Sequence, residues 1–417
     1  MQGLYIHIPF CKSRCIYCDF YSTTSTTDKQ TPFINAIEGE IRSRAGYLAT
    51  NELDSVYIGG GTPSVLTHNN IERLFSVIRQ HFSIKPGAEI TIEANPNDIT
   101  PELADLLASL SVNRVSMGVQ AFDPDMLKLL RRRHTPQQAD EAVETLRSAG
   151  INDISIDLIY GLPNQSLGQW QQDLMHALQL PVTHLSAYAL MYEEGTELYS
   201  MREKGLISEA DDELSLAMYR TLMHAASANG FIHYEISNFS LPHHQARHNT
   251  GYWTGMHYLG LGPGAHSCNG HSRHANTPDL HAYINARGDV DKFQLAEQEE
   301  LTPQILMEES LLTSLRTAQG LDLRHFANQF GLDATRRLLT RALPYINNKQ
   351  LAILPTVPAS FCQPPSSATT PSLAPAPLGT QNTPALNQGN LTLTQGNLAL
   401  TTDGIFVSDD IISSLFY

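Results

Sequence analysis

The chain has 417 residues, with 27 Lys+Arg against 42 Asp+Glu, a formal net charge of -15 and five cysteines. The length suits one large domain or two ordinary ones, and the acidic balance disfavours a nucleic-acid partner, which would need a basic face. No cysteine spacing outlines a disulfide framework, no leader-like segment precedes the first strand pattern and no apolar run reaches the roughly eighteen residues of a membrane span, so a cytoplasmic protein in a reducing compartment is expected.

Strand and helix patterns alternate from the N-terminus to about Leu190, predicting βα units on a parallel sheet. The predicted strands cover residues 4–8, 55–58, 89–93, 114–119, 153–159 and 183–189. Directly after the first come Cys11, Cys15 and Cys18, spaced Cys-x3-Cys-x2-Cys. A four-iron cluster ordinarily takes four thiolates, so three thiolates this close would leave one iron open to a small molecule. Half of a zinc site is the rival reading, although zinc favours paired C-x2-C spacings with further Cys or His; plain reduced thiols are another. Lys12 and Arg14 flank the cysteines, and nearby positive charge favours the thiolate.

The second strand runs into Gly59-Gly60-Gly61-Thr62-Pro63. Glycine lets backbone groups approach a ligand closely, so this turn could hold the ammonium and carboxylate of an amino acid, or be a tight turn only. Thr100-Pro101 and Thr135-Pro136 each offer an N-cap threonine followed by proline at the first helical position. Side chains alternate across a strand, which places Glu93, Gln120 and Asp157 on polar faces at strand carboxyl ends. In a (β/α) barrel that end carries the chemistry; mutual hydrogen bonding inside a polar interior is the plainer alternative. Arg132, in Arg131-Arg132-Arg133-His134, could hold a carboxylate bidentately or belong to a solvated helix end. Six strands predict an open, partial (β/α)6 barrel with a lateral cleft, an α/β fold.

From Phe239 a His- and Gly-rich stretch runs to His274, and helices follow from Thr302-Pro303 and over residues 323–345. Pro355 to Asn387 is rich in Pro, Ser, Thr, Ala and Gln, as a flexible and dispensable insert would be. A seven-residue repeat, Gly389 to Gln395 and Gly396 to Thr402, reads as short strands in a hairpin wing completed by Gly404-Ile405-Phe406-Val407, with a last helix over 409–416. The expected division is a partial barrel at 1–238, a smaller, mainly helical C-terminal domain at 239–354, the insert at 355–387, and the wing and final helix at 388–417.

The combination of Tyr5-Ile6-His7-Ile8-Pro9-Phe10-Cys11, the glycine turn at 59–63, Gly118-Val119-Gln120 and Asp157-Leu158-Ile159-Tyr160-Gly161-Leu162-Pro163 resembles the radical S-adenosylmethionine (SAM) superfamily. Within it, the chain resembles the branch that holds oxygen-independent coproporphyrinogen III dehydrogenase and the HemW-type heme chaperones. The resemblance covers nearly all of the chain outside the insert. It implies that Cys11, Cys15 and Cys18 bind three irons of a [4Fe-4S] cluster while SAM chelates the fourth. Tyr5, Gly60 and Glu93 match positions that contact that SAM. Tyr17, Gly61, Thr62, Gln120, Arg132 and Asp157 match positions that contact a second SAM in the dehydrogenase. Three departures favour the chaperones: Cys11 lies near the start, Phe20 stands where the dehydrogenase has a further cysteine, and His248-Asn249-Thr250-Gly251-Tyr252-Trp253 carries a His-Asn-x-x-Tyr-Trp pattern. Imidazole is a usual axial heme ligand, which makes His248 the candidate, with His243, His244, His257, His266, His271 and His274 nearby. A buried loop histidine is the alternative. The expected partners are heme and a heme-acceptor protein, respiratory or otherwise, with transient membrane-protein contact and a monomeric or dimeric state; the rival function is radical decarboxylation of a porphyrinogen in porphyrin biosynthesis.

Overall fold

A computed structural model describes residues 1–24, 27–289, 295–355 and 394–416. Cys362, nearly all of the expected insert and most of the first repeat copy lie outside the described residues. The strands are, in chain order, β1 Gln2–Ile8, β2 Glu52–Gly60, β3 Ser83–Ala94, β4 Arg114–Gln120, β5 Asp153–Tyr160, β6 His184–Ala189, β7 Ile232–Glu235, β8 Asn238–Ser240, β9 His257–Leu261, β10 His266–Cys268, β11 Ser272–Asn276, β12 Leu295–Glu300, β13 Leu321–Asp322, β14 Leu351–Leu354 and β15 Asn397–Leu400. The chain forms two compact units, one of residues 1–229, 246–251 and 255–300, the other of 230–245, 252–254 and 301–417.

In the first unit β1 to β6 pair in sequence order and in parallel, as the alternating βα pattern predicts. The other edge of β1 takes β9, also parallel, so β1 never meets β6 and no closed barrel forms. Antiparallel β10, β11 and β12 continue the sheet beyond β9. The alternation of the strand sequences decides their two faces. Leu4, Ile6 and Ile8, Ile90 and Ile92, Val115, Met117 and Val119, and Ile154, Ile156 and Leu158 are all buried. Covering helices supply the opposite wall: Leu103, Ala104 and Leu107 from Pro101–Ser109, and Ala139, Ala142, Val143 and Leu146 from Pro136–Ser148. Each fully buried Leu, Ile or Val contributes roughly 1.5–3 kcal/mol. Both helices begin as their sequences predict. The Thr100 hydroxyl accepts from the Leu103 amide, and Thr135 forms a reciprocal capping box with Gln138. Trp170 is fully buried with its indole N–H donating to the Met218 carbonyl at 2.9 Å, so its polar edge is not left orphaned.

The second unit packs helices Pro303–Leu315, Leu323–Phe330, Leu332–Asn347 and Ser408–Leu415 around Leu311, Leu315, Phe326, Leu338, Leu339, Ile411 and Leu415. A small antiparallel sheet, β13-β15-β14, completes it.

One expectation changes here. The second repeat copy does form a strand, β15, but its neighbours are β13 and β14, and Gly404 to Val407 does not close the hairpin. Thr401 caps a short helix, Thr402–Ile405, by accepting from the Gly404 amide, and a Cβ on Gly404 would fall 2.0 Å from the Gln350 carbonyl oxygen. The chain therefore turns inward at a point that only glycine tolerates. Residues 255–300 join the first unit, because β9 finds its hydrogen-bond partner in β1.

Candidate functional site

The site grows from the carboxyl ends of the parallel strands. Past the end of β1, the Cys11 amide donates to the Thr23 carbonyl at 2.9 Å and the Thr23 amide to the Pro9 carbonyl at 2.7 Å, which fastens the cysteine loop to the sheet. The glycine turn after β2 continues alongside: Gly61 N–H donates to the Ile8 carbonyl and Thr62 N–H to the Phe10 carbonyl, both at 2.8 Å. Gly61 has no room for a side chain, since its Cβ would stand 2.8 Å from both of those carbonyl oxygens. Gly60 has φ +105°, and its Cβ would strike the His7 ring at 2.6 Å. His7 is held in place by the Tyr5 hydroxyl at 3.0 Å from Nδ1 and by the Tyr21 carbonyl at 2.8 Å from Nε2.

Against this turn stands Glu93, from the end of β3. Its Oε2 accepts from the Gly60 amide at 3.0 Å and its Oε1 from the Tyr57 hydroxyl at 2.7 Å. Burial pushes the Glu93 carboxyl up to about 7. Asp157, on β5, accepts from the Ser116 hydroxyl at 3.1 Å and is likewise pushed up by burial, to about 6. Gln120 ends β4 at a bulge where the pairing with β5 slips between Gly118 and Gln120, and it adopts φ +71°. A side chain on Gly118 would meet Gln120 Nε2 at 2.8 Å and the Arg132 guanidinium at 3.1 Å. The bulge re-aims Gln120, and a non-glycine residue at positive φ stores strain of the kind that clusters at functional sites.

One of the cysteine thiols, that of Cys15, meets a cation. Arg132 donates from one terminal nitrogen to the Cys15 sulfur at 3.3 Å and from the other to the Gly118 carbonyl, while its buried Nε has no partner. Tyr17 lies within electrostatic reach of Arg132 and Cys15, and burial raises its phenol pKa. Lys12 and Arg14, expected to favour the thiolates, point elsewhere: Lys12 pairs with Asp98 at 2.7 Å and Arg14 donates to the Cys18 carbonyl at 3.4 Å. Cys11 Sγ lies 3.4 Å from the Thr62 hydroxyl, and burial raises its pKa. Burial pushes Cys18 up to about 11. Neighbouring thiols add to the upward shift of both Cys11 and Cys18.

Among the described residues no three His, Cys, Asp or Glu side chains are gathered as a single metal ion would gather them. Tetrahedral zinc would hold its thiolates about 3.8 Å apart. A four-iron cluster puts each thiolate on its own iron and needs them spread more widely. The contact of Cys15 with a guanidinium whose buried Nε has no partner is what the structure shows of this loop's chemistry.

Sequence reasoning missed the residue that ties these loops together. Buried Asp98 accepts from Lys12 of the cysteine loop at 2.7 Å, from Ser64 after the glycine turn at 3.1 Å, and from Arg133 at 2.8 Å. Burial alone would raise its pKa, but Arg133 and Lys12 outweigh burial and hold the carboxyl below its ordinary range. The signal was present in Asn95-Pro96-Asn97-Asp98, a turn directly after the strand that carries Glu93. The run of three arginines is also resolved: Arg131 pairs with Glu197, Arg132 reaches Cys15 and Arg133 reaches Asp98.

His248, the expected heme ligand, lies inside the first unit. Its side chain is 0% exposed, its Nδ1 lies 2.8 Å from the Ser55 hydroxyl, its ring stacks on Tyr57 with centroids 5.2 Å apart, and its amide donates to Glu89 Oε1 at 2.9 Å. Gly3, Ser55 and Glu89 occupy one register row across β1, β2 and β3, well before the carboxyl ends. His248 is thus a plug beneath the site rather than part of its open edge. Of the neighbouring histidines, His243, His266 and His271 are exposed, and His244, His257 and His274 are half-buried.

The model of the "Radical SAM superfamily" matches residues 5–177, and that of the "HemN C-terminal domain" matches 301–354. The heme chaperone HemW of Lactococcus lactis subsp. lactis is 34% identical over 350 residues, covering 84% of this chain and 90% of that protein. HemW of Bacillus subtilis is 33% identical, covering 79% of this chain and 87% of the relative. The mitochondrial radical S-adenosyl methionine domain-containing protein 1 of Danio rerio is 31% identical, covering 78% and 74%. Among solved structures, coproporphyrinogen III oxidase of Escherichia coli superposes with a TM-score of 0.79 at 22% identity, covering 100% of this chain and 90% of that one, a likeness of fold. Among the described residues no helix is long and apolar enough to cross a membrane.

Proposed function

The chain belongs to the radical SAM superfamily, in its HemW heme-chaperone branch, and on that premise we propose that it binds heme and hands it to an acceptor protein in the cytoplasm. Cys11, Cys15 and Cys18 would hold three irons of a four-iron cluster, and Tyr5, Gly60 and Glu93 would face the SAM on the fourth. When bound, such a cluster supplies an open coordination position and a low-potential electron. The observation that supports this reading is the Arg132 contact with Cys15 together with the Glu93–Gly60 contact, both near the carboxyl ends of the parallel strands.

The chain's own groups divide the work. The Cys11 and Cys18 thiols, raised by burial, give up their protons on loading, as thiolate ligands must. Arg132 offers its charge to the sulfurs from a buried position and leaves one N–H for an incoming acceptor. Glu93, with its pKa near neutrality, holds the Gly60 amide and can accept from a ligand's ammonium or ribose hydroxyl. Tyr17, Gly61, Thr62, Gln120 and Asp157 add polar groups to the same edge, at positions that in the dehydrogenase contact a second SAM. Axial ligation of heme iron would fall to exposed imidazoles, His243, His266 or His271.

Heme titration of the cluster-loaded protein under reducing conditions tests this function. Saturable binding with a shifted Soret band is expected, followed by transfer to an apo-hemoprotein. Wild type that shows no saturation contradicts it. The decarboxylase alternative predicts loss of CO2 from coproporphyrinogen III in the presence of SAM and reductant; none is expected here.

A further inference from the structure

A chain of contacts leads from His248 to the glycine turn. The His248 ring lies on Tyr57; the Tyr57 hydroxyl donates to Glu93 Oε1 at 2.7 Å; Glu93 Oε2 accepts from the Gly60 amide at 3.0 Å. The ring is fixed from three further directions. Ser55 Oγ lies 2.8 Å from Nδ1, and Glu89 accepts both the Arg247 amide at 2.7 Å and the His248 amide at 2.9 Å. The missing side chain of Gly3 leaves the space, since a Cβ there would come within 3.1 Å of His248 Cε1. A ring with no exposed surface cannot meet the iron of a disc as broad as a porphyrin without unpacking β1, β2 and β3 around it.

We propose that His248 is a positioning residue that holds Tyr57 and, through it, Glu93 against the Gly60 turn, and that it does not ligate heme iron. This rests on the reading that Gly60 and Glu93 face SAM. A stacked aromatic and a neutral imidazole keep the Tyr57 hydroxyl on the Glu93 carboxylate. With the stack gone, Tyr57 gains rotamer freedom and Glu93 loses a buried donor.

The test compares wild type, His248→Gln, Tyr57→Phe and the double variant, all cluster-loaded, by SAM titration and by heme titration. Each single variant is expected to weaken SAM binding about tenfold, the loss that one buried hydrogen bond to a charged group brings. The double variant is expected to be scarcely weaker than either single one, because both break the same path. Heme affinity and Soret position should stay as in wild type. Ser55→Ala, which keeps the imidazole and releases its Nδ1, gives the same comparison if His248→Gln fails to fold. Loss of heme binding in His248→Gln or Ser55→Ala with SAM affinity intact would overturn the proposal. If wild type takes up no SAM, the reading of Gly60 and Glu93 fails first. If wild type takes it up and the variants do so equally, only the role of His248 fails.

Discussion

His248 and Glu93 are neighbours by one intervening tyrosine, yet burial moves their protonation in ways with opposite consequences. Burial lowers the His248 pKa from 6.5 to about 3. The unfolded chain binds a proton there between those values and the folded chain does not, so this group's contribution to stability is full above pH 6.5 and is lost as pH falls toward 3. Its slope is about 1.4 kcal/mol per pH unit. Urea unfolding of the metal-free protein between pH 6.5 and 4.5 should therefore show a shallower pH dependence for His248→Gln than for wild type; equal slopes would mean the ring is not buried as a neutral base. Glu93, raised to about 7, has the reverse sign: its protonated form is favoured in the folded state, and that stability is lost as pH rises through 7. Glu93→Gln should thus gain stability relative to wild type at pH 8 and not at pH 4.5. Asp98 is the third case. Held below 3.8 by Arg133 and Lys12, it stabilises above that pH and is lost only under acid conditions. Asp98→Asn leaves the half-buried Arg133 without its carboxylate, and a loss of about 2–4 kcal/mol is expected in thermal unfolding at pH 7, with less iron retained after reconstitution.

At the level of elements, the parallel strands were legible because apolar and polar residues alternate with period two and because threonine and proline mark the helix starts. The turn after β2 was legible as a glycine run, but its purpose lies in carbonyl oxygens that no sequence pattern announces. Gly61→Ala would press a methyl group to 2.8 Å from the Ile8 and Phe10 oxygens and force the turn off β1. Gly150→Ala, at φ +90° with nothing within 4 Å, meets only backbone strain. Calorimetry should show about 1 kcal/mol lost for Gly150→Ala and a loss of cluster retention for Gly61→Ala alone. The bulge at Gly118 was hinted at by a glycine inside a strand pattern, whereas the left-handed Gln120 had no local signal. The short β wing is present as the antiparallel sheet β13-β15-β14, but its completion by residues 404–407 was misread: a repeat suggests self-pairing, while β15 pairs with β13 and β14 from before the insert.

For the whole molecule, the open sheet was visible from residue order, since β1 to β6 pair in sequence, and so were candidate polar side chains toward the carboxyl halves of β3, β4 and β5. The second unit's helices followed from their caps and apolar spacing. What stayed hidden was long-range pairing. Residues 255–300 join the first unit through β9 and β1, which are far apart in sequence, and His248 reads as an accessible ligand until that packing closes over it. The insert's composition gives it little apolar surface to bury. Deleting residues 366–384 is expected to leave the thermal midpoint unchanged, and a large drop would show that the segment supports the fold. The account as a whole rests on an iron left open by three thiolates. Electron paramagnetic resonance of the anaerobically reconstituted, reduced protein, recorded with and without SAM alongside metal analysis, tests this directly. A four-iron signal that changes when SAM is added and is absent after Cys11, Cys15 and Cys18 are replaced by alanine is the predicted result; bound zinc, or a cluster signal indifferent to SAM, would contradict it.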